Sequence, residues 1–237
     1  MANTLRAEML AGMTGLQIGI FAGILGAGVG VSSIVGYFRW RRWKQQIQAW
    51  QDFAATRGWS FMPTPGRFMY SAGTLKMEGS YAGRPLTLET EYRHHEKAYR
   101  IATIVRHELG DDFPREVVIR PEGLGDKFLK LFGVQDEQIG DAGLDAVLDL
   151  KNVTPQARAI LLSAGMRRPL LNLARAFEAF SIENGVLSAE VIDDVPCTSV
   201  ELYGMLTPVR ELADAVQATR GHTQWRSEGS GQEGPQS

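Results

Sequence analysis

Cysteine is nearly missing from the chain: Cys197 is the only one among 237 residues. That excludes an intrachain disulfide and a thiolate metal cluster, and it fits a reducing compartment. An excess of either charge is also missing, with 25 basic against 27 acidic residues and a formal net charge of -2. A dedicated nucleic-acid binder usually carries a strong basic excess, so no nucleic-acid partner is expected. The third absence is local. No charged residue occurs in 9–38, between Glu8 and Arg39.

That uncharged run would form a helix of about 45 Å at 1.5 Å per residue, against a hydrocarbon core of about 30 Å. It is long enough to cross a bilayer with some tilt. Arg39, Trp40, Arg41, Arg42, Trp43 and Lys44 follow at once, placing four positive charges within six residues. Ahead of the run stand only Arg6 and the amino terminus, offset by Glu8. Lys/Arg bias sets orientation, so the C-terminal side is expected in the cytoplasm. Tyr37, Phe38, Trp40 and Trp43 suit the membrane–water interface, where a ring keeps one edge wet. A cleaved signal peptide would put its basic residues before an apolar core of about 7–15 residues, and here the run is longer and the charges come after it. The expectation is a single-pass anchor in the inner (plasma) membrane.

Glycine is abundant inside this run, and it is ordered. Gly12, Gly15, Gly19, Gly23, Gly26 and Gly30 are separated by 3, 4, 4, 3 and 4 residues, a mean of 3.6, which places all six on one helical face. Gly15, Gly19 and Gly23 form a doubled small-xxx-small motif, a groove that lets a second helix approach closely in lipid. Leu16, Ile20, Ile24 and Val31 fall on the opposite face, suited to lipid tails. The expected partner of the groove is a copy of this chain or another membrane protein. Gly26-x-Gly28-x-Gly30 is not a dinucleotide fingerprint, because no strand precedes it and no acidic ribose ligand follows. Gly123-Leu124-Gly125-Asp126-Lys127 lacks the spacing and the Ser/Thr of a phosphate-binding loop.

Beyond the anchor, Trp43, Ile47, Trp50 and Ala54 recur at helical spacing until Gly58, a natural C-terminal cap. From Phe61 the period changes to two. Leu75-Lys-Met77, Leu86 to Tyr92 and Tyr99 to Arg106 alternate as strands of an antiparallel meander, with Gly79 and Gly83 punctuating a turn. Val117 to Pro121 makes a short strand, and the alternation of Leu144, Ala146, Leu148 and Leu150 predicts another with one wet face. Pro155 opens a helical region in which Pro169 sits in the first turn of a second helix. Asn184-Gly185 marks a hairpin, and a last helix covers about Ser199 to Arg220, with Pro208 a candidate interruption. The fold class is α+β: a single transmembrane helix, then a cytoplasmic domain with a largely antiparallel sheet and two or three packing helices. The divisions are a flank at 1–8, the anchor at 9–38, a juxtamembrane amphipathic helix at 39–58, the domain at 59–220 and a disordered tail at 221–237.

Several of these segments carry a resemblance. Trp50-x-x-x-Ala54-x-x-x-Gly58, the Gly79-x-x-x-Gly83 turn, Leu144-Asp145-x-x-Leu148-Asp149-Leu150, Pro155-x-Ala157-Arg158-x-x-Leu161-Leu162 and Glu183-Asn184-Gly185-x-Leu187 occur in that order. The chain resembles a family of bacterial inner-membrane-anchored proteins that carry a domain-of-unknown-function label. The resemblance covers most of 40–220 and implies element order and location. It implies no catalytic residue.

The four histidines are the first candidates for chemistry. His94, His95 and Glu96 lie between two predicted strands, and His107 lies near Glu108, Asp111 and Asp112. A hairpin bringing them together would offer imidazoles and carboxylates to a metal, but adjacent histidines on a strand point to opposite faces. Cys197 lies just before the last helix, where a nucleophile would need a base or a helix N-terminus to activate it. Asp141, Asp145 and Asp149 read as a wet strand face, and Arg167-Arg168 as helix-flanking charges that an acidic lipid could meet. No cofactor and no metal is expected. The leading expectation is a non-enzymatic interaction and assembly module whose domain binds a protein or lipid partner. The alternative is a membrane-anchored, hydrolase-like enzyme, for which a deep pocket would bring His107, Asp111 and Cys197 together.

Overall fold

Alternation at period two decides the architecture, because a strand that buries every second residue must lie against something apolar on one face. The structure, a computed structural model, describes residues 15–66, 73–95, 98–111, 113–122 and 137–229, with side chains over 33–66, 73–94, 99–111, 113–122 and 137–219. Contacts divide the chain into two units, Met1–Lys44 with Gly66–Ala72, and Gln45–Pro65 with Gly73–Ser237.

Helix α1 runs Gly15–Ala55. The helix expected at 39–58 is therefore not a separate element; helical backbone is continuous through the basic cluster. Gly12 lies outside the described residues, and the surroundings of Gly15, Gly19, Gly23, Gly26 and Gly30 lie outside the described side chains. Among the described residues no helix is long and apolar enough to cross a membrane, and the side chains before Ser33 are not part of that description. Ile34, Val35, Tyr37, Phe38 and Trp40 are each more than half exposed. Lys44 Nζ stands 6.0 Å from the Trp40 ring centroid. Of the basic cluster, Arg39, Arg41, Arg42 and Lys44 are exposed and Trp43 is half-buried.

In the second unit, α1 ends as its sequence requires. Gly58 adopts φ +66, and the Trp59 and Gly58 amides close the last turn on the Ala54 and Ala55 carbonyls at 2.9 and 3.3 Å. Strands β2 (Thr74–Tyr81), β3 (Arg84–His95) and β4 (Ala98–Glu108) form the expected meander, and β1 (Ser60–Thr64) adds a further strand at its edge. Then come β5 (Val118–Pro121), helix α2 (Ala142–Asp145) and β6 (Leu148–Lys151). Helices α3 (Pro155–Leu161) and α4 (Arg167–Ala176) precede the hairpin β7 (Ala179–Glu183) and β8 (Val186–Ile192), and α5 (Ser199–Gly229) is last. The strands make one antiparallel sheet of eight, in the order β1-β2-β3-β4-β8-β7-β5-β6.

Register separates the two faces. Met77, Leu88, Val105 and Ala189 are paired in turn across β2, β3, β4 and β8, and all four are buried. Phe180, Ile182, Ile119 and Leu150 continue this face. The opposite face carries charge, including Lys76–Glu78 at 2.7 Å, Arg106–Glu91 at 3.4 Å and Arg93–Glu190 at 3.6 Å. A one-residue slip would exchange these faces, so the core fixes the register. Helix α5 contributes buried Leu202, Leu206, Val209, Ala213 and Val216 at spacings of 4, 3, 4 and 3, and α1 adds Trp50 and Phe53.

Five particulars differ from the expectations. Gly79 lies inside β2, where the Trp59 side chain occupies the space of a Cβ; only Gly83, at φ +76, belongs to the turn, with Ala82 at φ 53. The run from Leu144 is first a helix, because Asp141 accepts the Gly143 and Leu144 amides at 2.8 and 3.2 Å as an N-cap, and strand pairing starts only at Leu148. Asp149 is not on a wet face but 6% exposed. Helix α5 passes through Pro208 and runs to Gly229, beyond the expected end near Arg220. Strand β1 had no sequence signature, since it is a short edge strand holding Pro63, whose missing N–H is tolerated at an edge.

The Gly79 packing gives a direct test. Gly79→Val forces the indole of Trp59 off the sheet, and overpacking of this kind costs about 1–3 kcal/mol. Urea unfolding followed by tryptophan fluorescence should show that loss, while Gly204→Ala, which meets nothing within 4 Å, stays near wild type.

Candidate functional site

The one buried histidine with described surroundings marks the most unusual chemistry in the sheet. His107 lies on β4 opposite Leu86 and Leu187, and is 1% exposed. Its Nδ1 is 3.0 Å from the Pro85 carbonyl, which fixes Nδ1 as the protonated nitrogen because a carbonyl can only accept. Nε2 is then a bare acceptor, and it is buried with no hydrogen-bond partner. The Tyr81 ring packs edge-on against the imidazole at 6.1 Å.

Tyr81 links this histidine to α5. Its hydroxyl donates to the Asp214 carboxylate at 2.8 and 2.9 Å, and the Arg210 guanidinium sits 4.7 Å from its ring. Arg210 and Asp214 share one side of α5 because they are four residues apart. The Gln217 amide donates to the Ala82 carbonyl at 3.2 Å, which ties the same helix to the hairpin turn. Arg84 donates to the Leu109 carbonyl, beside Gly110 at φ +72.

The electrostatics follow from this packing. Burial holds the His107 imidazole below its ordinary pKa; the Pro85 carbonyl opposes that, the Arg84 guanidinium adds to it, and Glu108 and Asp214 pull upward. Burial pushes the Tyr81 phenol up against the opposing pull of Arg210, and Asp214 adds to the rise. The hydrogen bond with Tyr81 raises Arg210 above its ordinary value. The cluster thus holds a neutral imidazole beside a tyrosine bridging a cation and an anion.

The residues named from sequence do not converge. His94 stands opposite Tyr99 and His107 opposite Leu86, about 27 Å apart along the strand at 3.4 Å per residue. The His94 ring packs on Tyr99 at 5.2 Å. Glu96 and Asp112 lie outside the described residues, as does the side chain of His95. Among the described residues no group of three His, Cys, Asp or Glu side chains is placed to hold a metal ion.

The structure does not bring together the three residues of the hydrolase reading. Asp111 is exposed and pairs with Arg115. Cys197 is half-buried, its Sγ 3.5 Å from the Val195 carbonyl, in the segment that leaves β8 beside Thr103. That segment meets β4 about 13 Å along the strand from His107. The Cys197 amide donates to Glu201 at 2.6 Å and Thr198 accepts from the Glu201 amide at 3.2 Å, so this region serves as the cap of α5. Arg167 pairs with Asp141 at 2.8 Å, which uses it in joining α4 to the α2 cap. Sequence reasoning found His107 but missed Tyr81, Arg210 and Asp214. The signal available was the i, i+4 pair on the last helix; its tyrosine lies more than a hundred residues earlier.

The imidazole sets a pH dependence. Its folded pKa lies below the unfolded value near 6.5, so protons bind the unfolded chain preferentially. Stability should be full above about pH 7 and fall by up to about 1.4 kcal/mol per pH unit below about pH 6.5, levelling off below the folded pKa. His107→Leu should flatten that slope between pH 6.5 and 5 in urea titrations; an unchanged slope would assign it elsewhere. Searches for similar proteins return no matching family model, curated protein or solved structure, so the family resemblance rests on the quoted sequence motifs alone.

Proposed function

We propose that this chain is a membrane-tethered, non-enzymatic interaction module. The uncharged run at 9–38 crosses the inner membrane, and the domain that follows lies on the cytoplasmic side, where it engages a protein or lipid partner. The glycine face from Gly12 to Gly30 packs against a second helix, from another copy or another membrane protein.

The observation that carries this reading is the exposure on α1. Ile34, Val35, Tyr37 and Phe38, directly before the Arg39–Lys44 cluster, and Trp40 within it are 51–60% exposed on a continuous helix. Exposed apolar side chains in such a row call for a nonaqueous or protein environment. Aromatic residues followed by arginines suit the headgroup region, and the six glycines at a mean spacing of 3.6 suit close helix contact.

The assembly part is tested in native membranes. Gly19→Leu combined with Gly23→Leu should lower crosslinked dimer several-fold while leaving membrane retention intact. Undiminished crosslinking between copies would remove self-association and leave a different membrane protein as the partner.

A further inference from the structure

The hairpin of β3 and β4 outgrows the sheet that carries it. Among the described residues, β2 pairs with β3 only as far as Glu89, and β8 pairs with β4 only as far as Ala102. Beyond those points Tyr92, Arg93, His94 and His95 pair with Ile101, Arg100, Tyr99 and Ala98 as a two-stranded ribbon. Cross-strand partners share a face, so the ribbon has two distinct sides. Tyr92, His94, Tyr99 and Ile101 continue the side on which Leu86, Leu88 and Thr90 are buried. There that side is open: Tyr99 is 74% exposed, Tyr92 is 40% exposed, and the exposed His94 ring stands edge-on to Tyr99. Arg93 and Arg100 continue the ionic side. Arg93 pairs with Glu91 at 3.3 Å and Glu190 at 3.6 Å, and Arg100 with Asp193 at 3.4 Å, yet both side chains stay nearly half exposed.

The direction of the ribbon follows from its base. The Thr103 hydroxyl donates to the Asp194 carbonyl at 2.6 Å, and the next two carbonyls, of Val195 and Pro196, accept from Gln46 and Trp50. The domain's part of α1 therefore starts at the Thr103 end of β4. It finishes toward the other end, because Trp59 packs on Gly79, which is in register with Leu86 and His107. The ribbon thus projects against the course of α1 through the domain, and Ala98 lies five residues, about 17 Å, past Thr103. Gln46 follows Phe38, where the uncharged run ends, by eight residues, about 12 Å of helix.

We infer that the β3–β4 ribbon is a second membrane contact, seating Tyr92, His94 and Tyr99 in the phospholipid headgroup layer with Arg93 and Arg100 beside the phosphates. The inference rests on the membrane-tether reading above and names the lipid surface as the domain's partner. Tyrosine suits that layer because its ring is apolar and its hydroxyl stays wet, and guanidinium forks match phosphate oxygens. Singly exposed aromatics need no explanation, but these continue a core face past its cover, at the end where the tether enters.

The test uses the full chain carrying Cys197→Ser, reconstituted in vesicles of phosphatidylethanolamine and phosphatidylglycerol with a headgroup spin label. A fluorophore on Ala98→Cys, at the ribbon tip, should be quenched several-fold more than one on Ser80→Cys, exposed near the far end of β2. Adding Tyr92→Ser and Tyr99→Ser, both at exposed positions, should remove most of that difference and keep the wild-type unfolding midpoint. Flotation of the same vesicles reports the tether separately. A chain that does not float overturns the tether, and this inference with it. A floating chain whose two probes are quenched alike, or whose quenching survives the tyrosine substitutions, overturns the inference alone. Protection of the position-98 probe in native membranes but not in these vesicles assigns the ribbon to a protein partner and overturns it as well.

Discussion

The first helix of the domain is held to the segment that starts the last one by the indole N–H of Trp50. The ring is wholly buried, and its Nε1 donates to the Pro196 carbonyl at 3.1 Å. Four residues earlier on the same face of α1, the buried Gln46 amide donates to the Val195 carbonyl at 3.2 Å. These two bonds join the end of the first helix to the segment that starts the last one. Burial of an indole of this size is strongly favourable, yet an unpaired N–H in the same place would forfeit about 1–3 kcal/mol. With both helices fixed, Phe53 and Trp59 pack at 6.1 Å and the indole of Trp59 lies on Gly79.

Much of the sheet was legible because its alternation is strict. Leu86, Leu88 and Thr90 are buried while Glu89 and Glu91 join the ionic face, and no helix can reproduce that pattern. Two of the hairpin turns were readable from Gly83 and Asn184-Gly185, whose positive φ angles few other residues tolerate. The α2–β6 region was misread because Leu144, Leu148 and Leu150 fit either period over so few residues, and the Asp141 cap decided the outcome. Gly79 was misread as turn punctuation because its partner, Trp59, belongs to another strand's approach. Pro208 was read as a break, but its place on α5 among buried Leu206 and Val209 keeps the helix packed on both sides of it.

The candidate site was less legible for a different reason. His107 could be named as unusual, but its depth follows from β4 being flanked by β3 and β8 and covered by α5, a three-way meeting no local pattern reports. Tyr81, Arg210 and Asp214 are ordinary residues in sequence and become a cluster only where α5 meets the end of β2. The exposed ion pairs on the charged face of the sheet contribute little each. The use of that face is to fix which side of the sheet receives the helices.

The central claim is that the uncharged helical run tethers this domain to a membrane. Alkaline carbonate extraction of native membranes tests it most directly, since it strips peripheral proteins and leaves spanning helices in place. The full chain should remain in the membrane pellet, and a chain lacking 9–38 should appear in the soluble fraction. Release of the full chain into the supernatant would contradict the account.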